Sequence, residues 1–246
     1  MKKRGELLIL HRYPYSDTSW VVKALSREEG VLSFVAKGAR REKSAMGGAL
    51  EPLSLTELLW SKRPDAELGT VEKATVIEPW SRLRGDLLKN ATALTLAEIP
   101  LRFHPEGVGQ GEWFQLLYSA LRWLELKESL SPFESVQLTV RYLLRICDEC
   151  GVGLNGDRCV RCGGVLEEVS LWVGELGGFY CRSCSTGERS DSADMLFGAM
   201  RKRGETNWQE LQQVELMLIG HLNERLGIPL RLRSLEWLHE TRRGAV

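Results

Sequence analysis

The sequence predicts an α+β protein in which a small five-stranded barrel is followed by helices carrying a cysteine-rich insert. Residues 1–79 hold five short apolar runs with two-residue alternation and β-branched content, and from residue 80 the apolar spacing changes to threes and fours. The stretch "CVRCGGVLEEVSLWVGELGGFYCRSC", Cys159 to Cys184, then places two Cys-x-x-Cys pairs eighteen residues apart. The expected division is a β domain over 1–79 and a helical domain over 80–246, with a metal-binding subdomain inserted at 147–187.

"ELLIL" (6–10) is first, and "WVVKAL" (20–25) and "VLSFVA" (31–36) form a hairpin across "SREEG", where Gly30 is free to take positive φ. "LSLTELLW" (53–60) and "TVEKATVIE" (70–78) follow, separated by a turn-rich segment and stopped by Pro79. Five-stranded barrels of this size are frequently OB-folds, whose exposed face and loops bind nucleic acid strands.

"WSRLRGDLLKNATALTLAEI" opens the helical part and is followed by Pro100, a loop containing His104 and the glycines of "GVGQG", and a helix with Trp113, Leu116, Leu117, Ala120, Leu121 and Leu124 on one face. The next helix has a capping-box start in Ser131, Pro132 and Glu134, and its apolar stripe runs Phe133, Val136, Val140, Leu143, Leu144, Cys147. After the insert, "SADMLFGAMRKR" and "TNWQELQQVELMLIGHLNERLG" resume helical spacing, the second opened by Thr206 or Asn207 and closed by Gly227 ahead of Pro229.

Two cysteines separated by two residues can aim both sulfurs at one ion, and a second pair completes a tetrahedral shell suited to a structural Zn2+. Cys159, Cys162, Cys181 and Cys184 are the expected ligands of one ion. Cys147 and Cys150 form a third pair that could replace one of the others, but Cys147 continues a helical apolar stripe, where a cysteine reads as a small buried hydrophobe. Four thiolates leave no open position for a catalytic water, and His11, His104, His221 and His239 are scattered. The insert is therefore expected to hold the chain together rather than to catalyse, and no enzyme activity is expected.

Lys plus Arg and Asp plus Glu each number 33, so any anionic partner must be held by a local cluster. "AKGARREKS" supplies the densest one, Lys37, Arg40, Arg41 and Lys43, on a segment that Gly38 and "SAMGG" suggest is a loop, and Tyr13, Tyr15 and Trp20 lie in or beside the loop after the first strand. Cations neutralise phosphates and exposed rings stack on bases, the combination a single strand needs, although a charged loop can equally be a solvated one. The loop lacks the glycine and the spacing of a phosphate-cradling ATP site, and "GVGQG" lacks the preceding strand of a dinucleotide site. No signal peptide or membrane-crossing run is read, so a cytoplasmic protein with no membrane and no small-molecule substrate is expected.

With these motifs in order, "RYPYSDTSWVVKALSREEGVLSFVAKGARREKS", "GALEPLSLTELLW", "GTVEKATVIEPW", "LLRICDECGVGLNGDRCVRCGG", "GGFYCRSC" and the tail "LRLRSLEWL", the chain resembles the bacterial recombination mediator family RecO over nearly its whole length. The resemblance implies an OB-fold first domain, a helical remainder with an embedded four-cysteine zinc site, and ligands at Cys159, Cys162, Cys181 and Cys184. It further implies binding of single- and double-stranded DNA, annealing of complementary strands, contact with the single-strand-binding protein SSB, and work with RecR to load RecA in recombinational repair, close to the bacterial nucleoid. On that basis Lys37, Arg40, Arg41 and Lys43 are expected to hold phosphates, with Arg12 and Tyr15 as further contacts. The competing expectation is an RNA-directed OB and zinc-ribbon protein that reads the 2′-hydroxyl.

Overall fold

The computed structural model describes residues 2–63, 66–103, 111–186, 189–201, 207–227 and 231–245; His104, 107–110, Lys202–Glu205, Thr206 and Pro229 lie outside them. The chain divides into two compact units, residues 1–130 with 232–246, and residues 131–231.

The first unit is built on a closed barrel of β1 (Lys2–Ser16), β2 (Ser19–Ser26), β3 (Gly30–Ala36), β4 (Leu55–Ser61) and β5 (Gly69–Glu78), in the order β1-β2-β3-β5-β4 with β4 closing on β1. Alternation decides what fills it: Leu7, Ile9, Val22, Ala24, Leu32, Phe34, Leu58, Trp60 and Val71 form one buried cluster. Phe34 meets the edge of Trp60 at 5.6 Å between ring centroids. Closure across β3 and β5 is parallel and brief, pairing only Phe34 with Gly69 and Val35 with Thr70. A Cβ on Gly69 would lie 2.8 Å from the Phe34 ring, so glycine is what lets β5 enter there.

Two expectations about the barrel need correction. The first strand runs through "HRYPYS" to Ser16 because it pairs with β2 as far as Ser16↔Ser19, and Pro14 is tolerated on a stretch whose other edge carries no β4 partner. "SAMGG" is not all loop: α1 (Ala45–Ala49) packs against β5, with Met46 on the barrel core and the Ala49 carbonyl accepting from the buried Thr56 hydroxyl at 2.6 Å.

Four helices complete this unit: α2 (Ser81–Gly85), α3 (Leu87–Phe103), α4 (Gly111–Leu126) and, from the far end of the chain, α8 (Arg233–Gly244). Pro100 sits inside α3 and does not end it; Pro100 and Phe103 are both buried, so packing outweighs the hydrogen bond that proline forfeits. Leu8 and Leu10, on the outer side of β1, are buried as well, and α3 packs against that strand.

The second unit consists of α5 (Pro132–Glu149), α6 (Asp191–Arg201) and α7 (Trp208–Leu226) around the cysteine-rich segment. Both expected starts are made: Ser131 with Glu134, and Asn207 with Glu210, form reciprocal capping boxes, and Gly227 closes α7 at φ 65°. Phe133 is exposed and falls outside the α5 apolar face, whereas Val136, Val140, Leu143 and Cys147 are buried. No described helix is long and apolar enough to cross a membrane.

Candidate nucleic-acid interface and metal centre

The cysteine-rich segment owes little to regular structure. Its only described sheet pairs β6 (Leu171–Val173) with β7 (Gly178–Tyr180), three residues each. Apolar backing comes from rings: Phe179 lies between Trp172 at 5.0 Å and Phe197 of α6 at 5.5 Å, and Trp172 meets His221 of α7 edge-on at 5.6 Å. His221 shares a 2.7 Å hydrogen bond with the Val152 carbonyl, fixing the segment to α7. A Cβ on Gly178 would lie 2.3 Å from Val160, so the two halves of the segment approach too closely for any other residue.

On this frame the Sγ atoms of Cys159, Cys162, Cys181 and Cys184 all lie within 4.8 Å of one another. Each pair sits on a tight turn. The Gly163 N–H donates to the Cys159 carbonyl at 2.9 Å with Gly163 at φ 72°, and the Cys184 N–H donates to the Cys181 carbonyl at 3.0 Å. Burial pushes the Cys159 thiol up, but the backbone N–H groups of Cys162, Cys181 and Arg161 together outweigh it and bring the thiol down to about 6. Hydrogen bonding from Ser183 and Cys184 holds the Cys181 thiol low, while Cys184 is pushed up to about 12 by its hydrogen bonds with Cys181 and Cys162. Thiols this close split their titrations because a second thiolate beside the first is opposed unless a cation shares the site. Four soft donors around one point can hold a metal ion, and four is the number that a tetrahedral shell takes.

Cys147 is outside this group. It is fully buried on α5, and burial first, then the neighbouring Cys150 and Asp148, push its thiol up to about 12. Cys150 is half-buried at the C-cap of α5 and is pushed up for the same leading reason.

At the barrel end where the β1–β2 hairpin turns, the cationic segment is pinned beside it. The Arg40 N–H donates to the Thr18 carbonyl at 3.0 Å and its guanidinium donates to the Ser16 carbonyl at 2.6 Å. Trp20, which the sequence suggested as a stacking ring, is already faced by two guanidinium groups, Arg12 at 4.6 Å and Arg40 at 5.0 Å, and packs on the barrel core. Arg12 also donates to the Gly47 carbonyl at 2.9 Å and pairs with Glu51, so β1 is braced to α1. The sequence-predicted residues therefore separate into two groups. Arg12 and Arg40 are engaged in the fold, whereas Lys37, Arg41 and Lys43 are exposed and make no ion pair with a described carboxylate. Tyr15, 63% exposed, lies one residue before the carbonyl that Arg40 grips.

The chain matches the family descriptions of the recombination protein O N-terminal region over residues 1–80 and of the recombination protein O C-terminal region over residues 84–234. It is 32% identical over 174 residues to the DNA repair protein RecO of Syntrophobacter fumaroxidans, an overlap covering 70% of this chain and 66% of that protein, so it spans just under two thirds of that relative's length. It is 26% identical over 229 residues to the RecO of Syntrophotalea carbinolica, covering 93% and 79% of the two chains, and 30% identical over 186 residues to that of Anaeromyxobacter sp. strain K, covering 73% and 69%. A closed five-stranded barrel followed by helices, with a four-cysteine cluster embedded among them, and family matches running over almost the whole length place this chain in the recombination protein O family of DNA repair proteins.

Proposed function

We propose that this protein is a recombination mediator that binds single- and double-stranded DNA, anneals complementary strands, and acts with RecR to load RecA on SSB-coated single strands in the cytoplasm beside the nucleoid. The observation that carries this reading is the cationic end of the barrel: Lys37, Arg41 and Lys43 exposed and lacking a described carboxylate partner, with Tyr15 beside them. Cations left without internal carboxylates keep their charge for phosphates, and each phosphate neutralised releases condensed counterions. Arg40 and Arg12 serve mainly to hold the hairpin tip, the loop and α1 in place for those contacts.

The metal in this reading is zinc, held by Cys159, Cys162, Cys181 and Cys184, and its role is to order the segment around it. Filled by four thiolates, it has no coordination position for a water or a phosphate, so in this reading the ion takes no part in a covalent step.

The test is annealing of complementary oligonucleotides precoated with cognate SSB, run with purified full-length protein of measured zinc content. Acceleration that depends on Lys37, Arg41 and Lys43 supports the mediator reading. Absence of both DNA binding and annealing at low salt overturns it.

A further inference from the structure

A groove of about 680 Å³ lies within the first unit, between the outer side of β1 and β2 and the helices α3 and α8. Its apolar lining is Leu10 of β1 with Leu94 and Leu101 of α3. Two rings stand on it with much of their surface in water, Tyr13 at 41% and Trp237 of α8 at 37%. His11 adds a third ring, its centroid 6.0 Å from that of Tyr13. Burial is the main cause that holds the His11 imidazole below its usual pKa, so near neutral pH it lines the groove as an uncharged ring.

Among the described residues that line this groove, Arg102 and Arg233 bring guanidinium groups and Glu98 brings a carboxylate. That carboxylate is already spent: it accepts from the Ser234 N–H at 2.9 Å, the Arg233 N–H at 3.2 Å, the Ser234 hydroxyl, and the Arg102 guanidinium at 3.2 Å. Capped in this way, α8 is fixed against α3 and carries Trp237 to the groove. An apolar floor, flanking rings and the Arg233 guanidinium at the edge together suit a ligand that is planar, unsaturated and tied to anions.

The groove and the cationic end of the barrel share strand β1. His11 and Tyr13 lie on one side of β1 and Tyr15 follows in a bulge, all three exposed, while Arg12 turns to Glu51 and Trp20. A ligand leaving Lys37 and Arg41 past Tyr15 would therefore follow β1 to Tyr13 and Trp237.

We infer that this groove holds unstacked bases of a single DNA strand, with Trp237 and Tyr13 as the stacking rings and Arg102 and Arg233 near the flanking phosphates. A base paired inside a duplex cannot present its face to the groove, so the site selects single strands over duplexes. The inference rests on the DNA-binding reading above and adds to it a ligand, a place and a preference.

The test compares full-length wild type, Trp237→Ala, Trp237→Phe and Tyr13→Ala, using oligothymidylates of increasing length and a hairpin duplex. The ratio of single-strand to duplex affinity is expected to fall roughly tenfold in Trp237→Ala, within the range for one stacked base, and to recover largely in Trp237→Phe. Oligonucleotides carrying 5-bromodeoxyuridine should photo-crosslink to Tyr13 or Trp237, a readout that does not depend on any variant folding. Wild type that binds both DNAs, with an unchanged ratio in the variants and crosslinks only elsewhere, would overturn the groove assignment while leaving the cationic loop in place. Protection of the groove by an acidic peptide, with no crosslink from DNA, would overturn it equally. Wild type that binds neither DNA at low salt would overturn the assignment together with the reading beneath it.

Discussion

The barrel and the cysteine-rich segment solve the same problem by different means. The barrel encloses a continuous cluster of leucine, valine, isoleucine and aromatic side chains, closed by five paired strands. The segment from Gly151 to Thr186 has two three-residue strands, one 3₁₀ turn and a thin layer of rings, and brings four thiols to one point. Where apolar area is ample, burial at about 25 cal/mol per Å² does the work. Where it is scarce and glycine is common, a metal held by the four thiols, as proposed, would be the larger source of order. The contrast also separates tasks, because the barrel can expose cations at one end without weakening its interior, whereas the thiol cluster must keep every donor.

The largest expected effect therefore falls on the thiols. Cys159→Ser should remove the bound metal and unfold the segment around it, consistent with zinc-binding free energies of about 10–16 kcal/mol in zinc-finger peptides. Hydrogen exchange, read alongside metal content, should show lost protection over residues 151–186 and unchanged protection in β1–β5. Loss of both regions together would break the comparison. Phe34→Ala should produce the opposite pattern, destabilising the barrel by about 3–5 kcal/mol, measured by denaturant titration, with full metal content.

Smaller effects sharpen the boundary. Cys147→Ala should cost about 1 kcal/mol as a small core truncation and leave the metal stoichiometry unchanged. A fall in stoichiometry would make Cys147 a ligand. Glu98→Gln should cost about 1 kcal/mol through the weakened cap of α8, seen as faster amide exchange in that helix. Burial pushes the Glu98 carboxyl up, but hydrogen bonds from Ser234, Arg233 and Arg102 outweigh it and hold its pKa below the ordinary value. A depressed carboxyl contributes stability that is present above its unfolded pKa and lost as pH falls through the folded one. Docking of α8 should accordingly weaken in acid in the wild type and lose that dependence in Glu98→Gln.

Much of this was legible in the sequence because the signals were local. Alternating apolar runs located all five strands, the Ser131–Glu134 pair and the Asn207 and Gly227 ends marked α5 and α7, and cysteine spacing pointed to the four thiols that meet. The missed features depend on distant partners. "HRYPYS" looks like a turn until β2 lies beside it, and Pro100 looks like a stop until Phe103 is buried beyond it. Trp20 and Arg12 carry the right chemistry for DNA, and only folding shows them engaged with each other and with Glu51. The groove draws on residues 10–23, 94–102 and 233–237, and nothing local to α8 indicates that it joins the first unit. The available signal was the spacing of two between His11 and Tyr13, which puts two rings on one side of a strand.

The most direct test of the central claim is the salt dependence of single-strand affinity for wild type and for the triple variant Lys37→Gln, Arg41→Gln, Lys43→Gln, with metal content checked in both. If these side chains hold phosphates, the slope of log affinity against log salt becomes shallower by about 2, since each contact on a single strand contributes about 0.7. Equal slopes in two folded, metal-replete proteins would contradict the account.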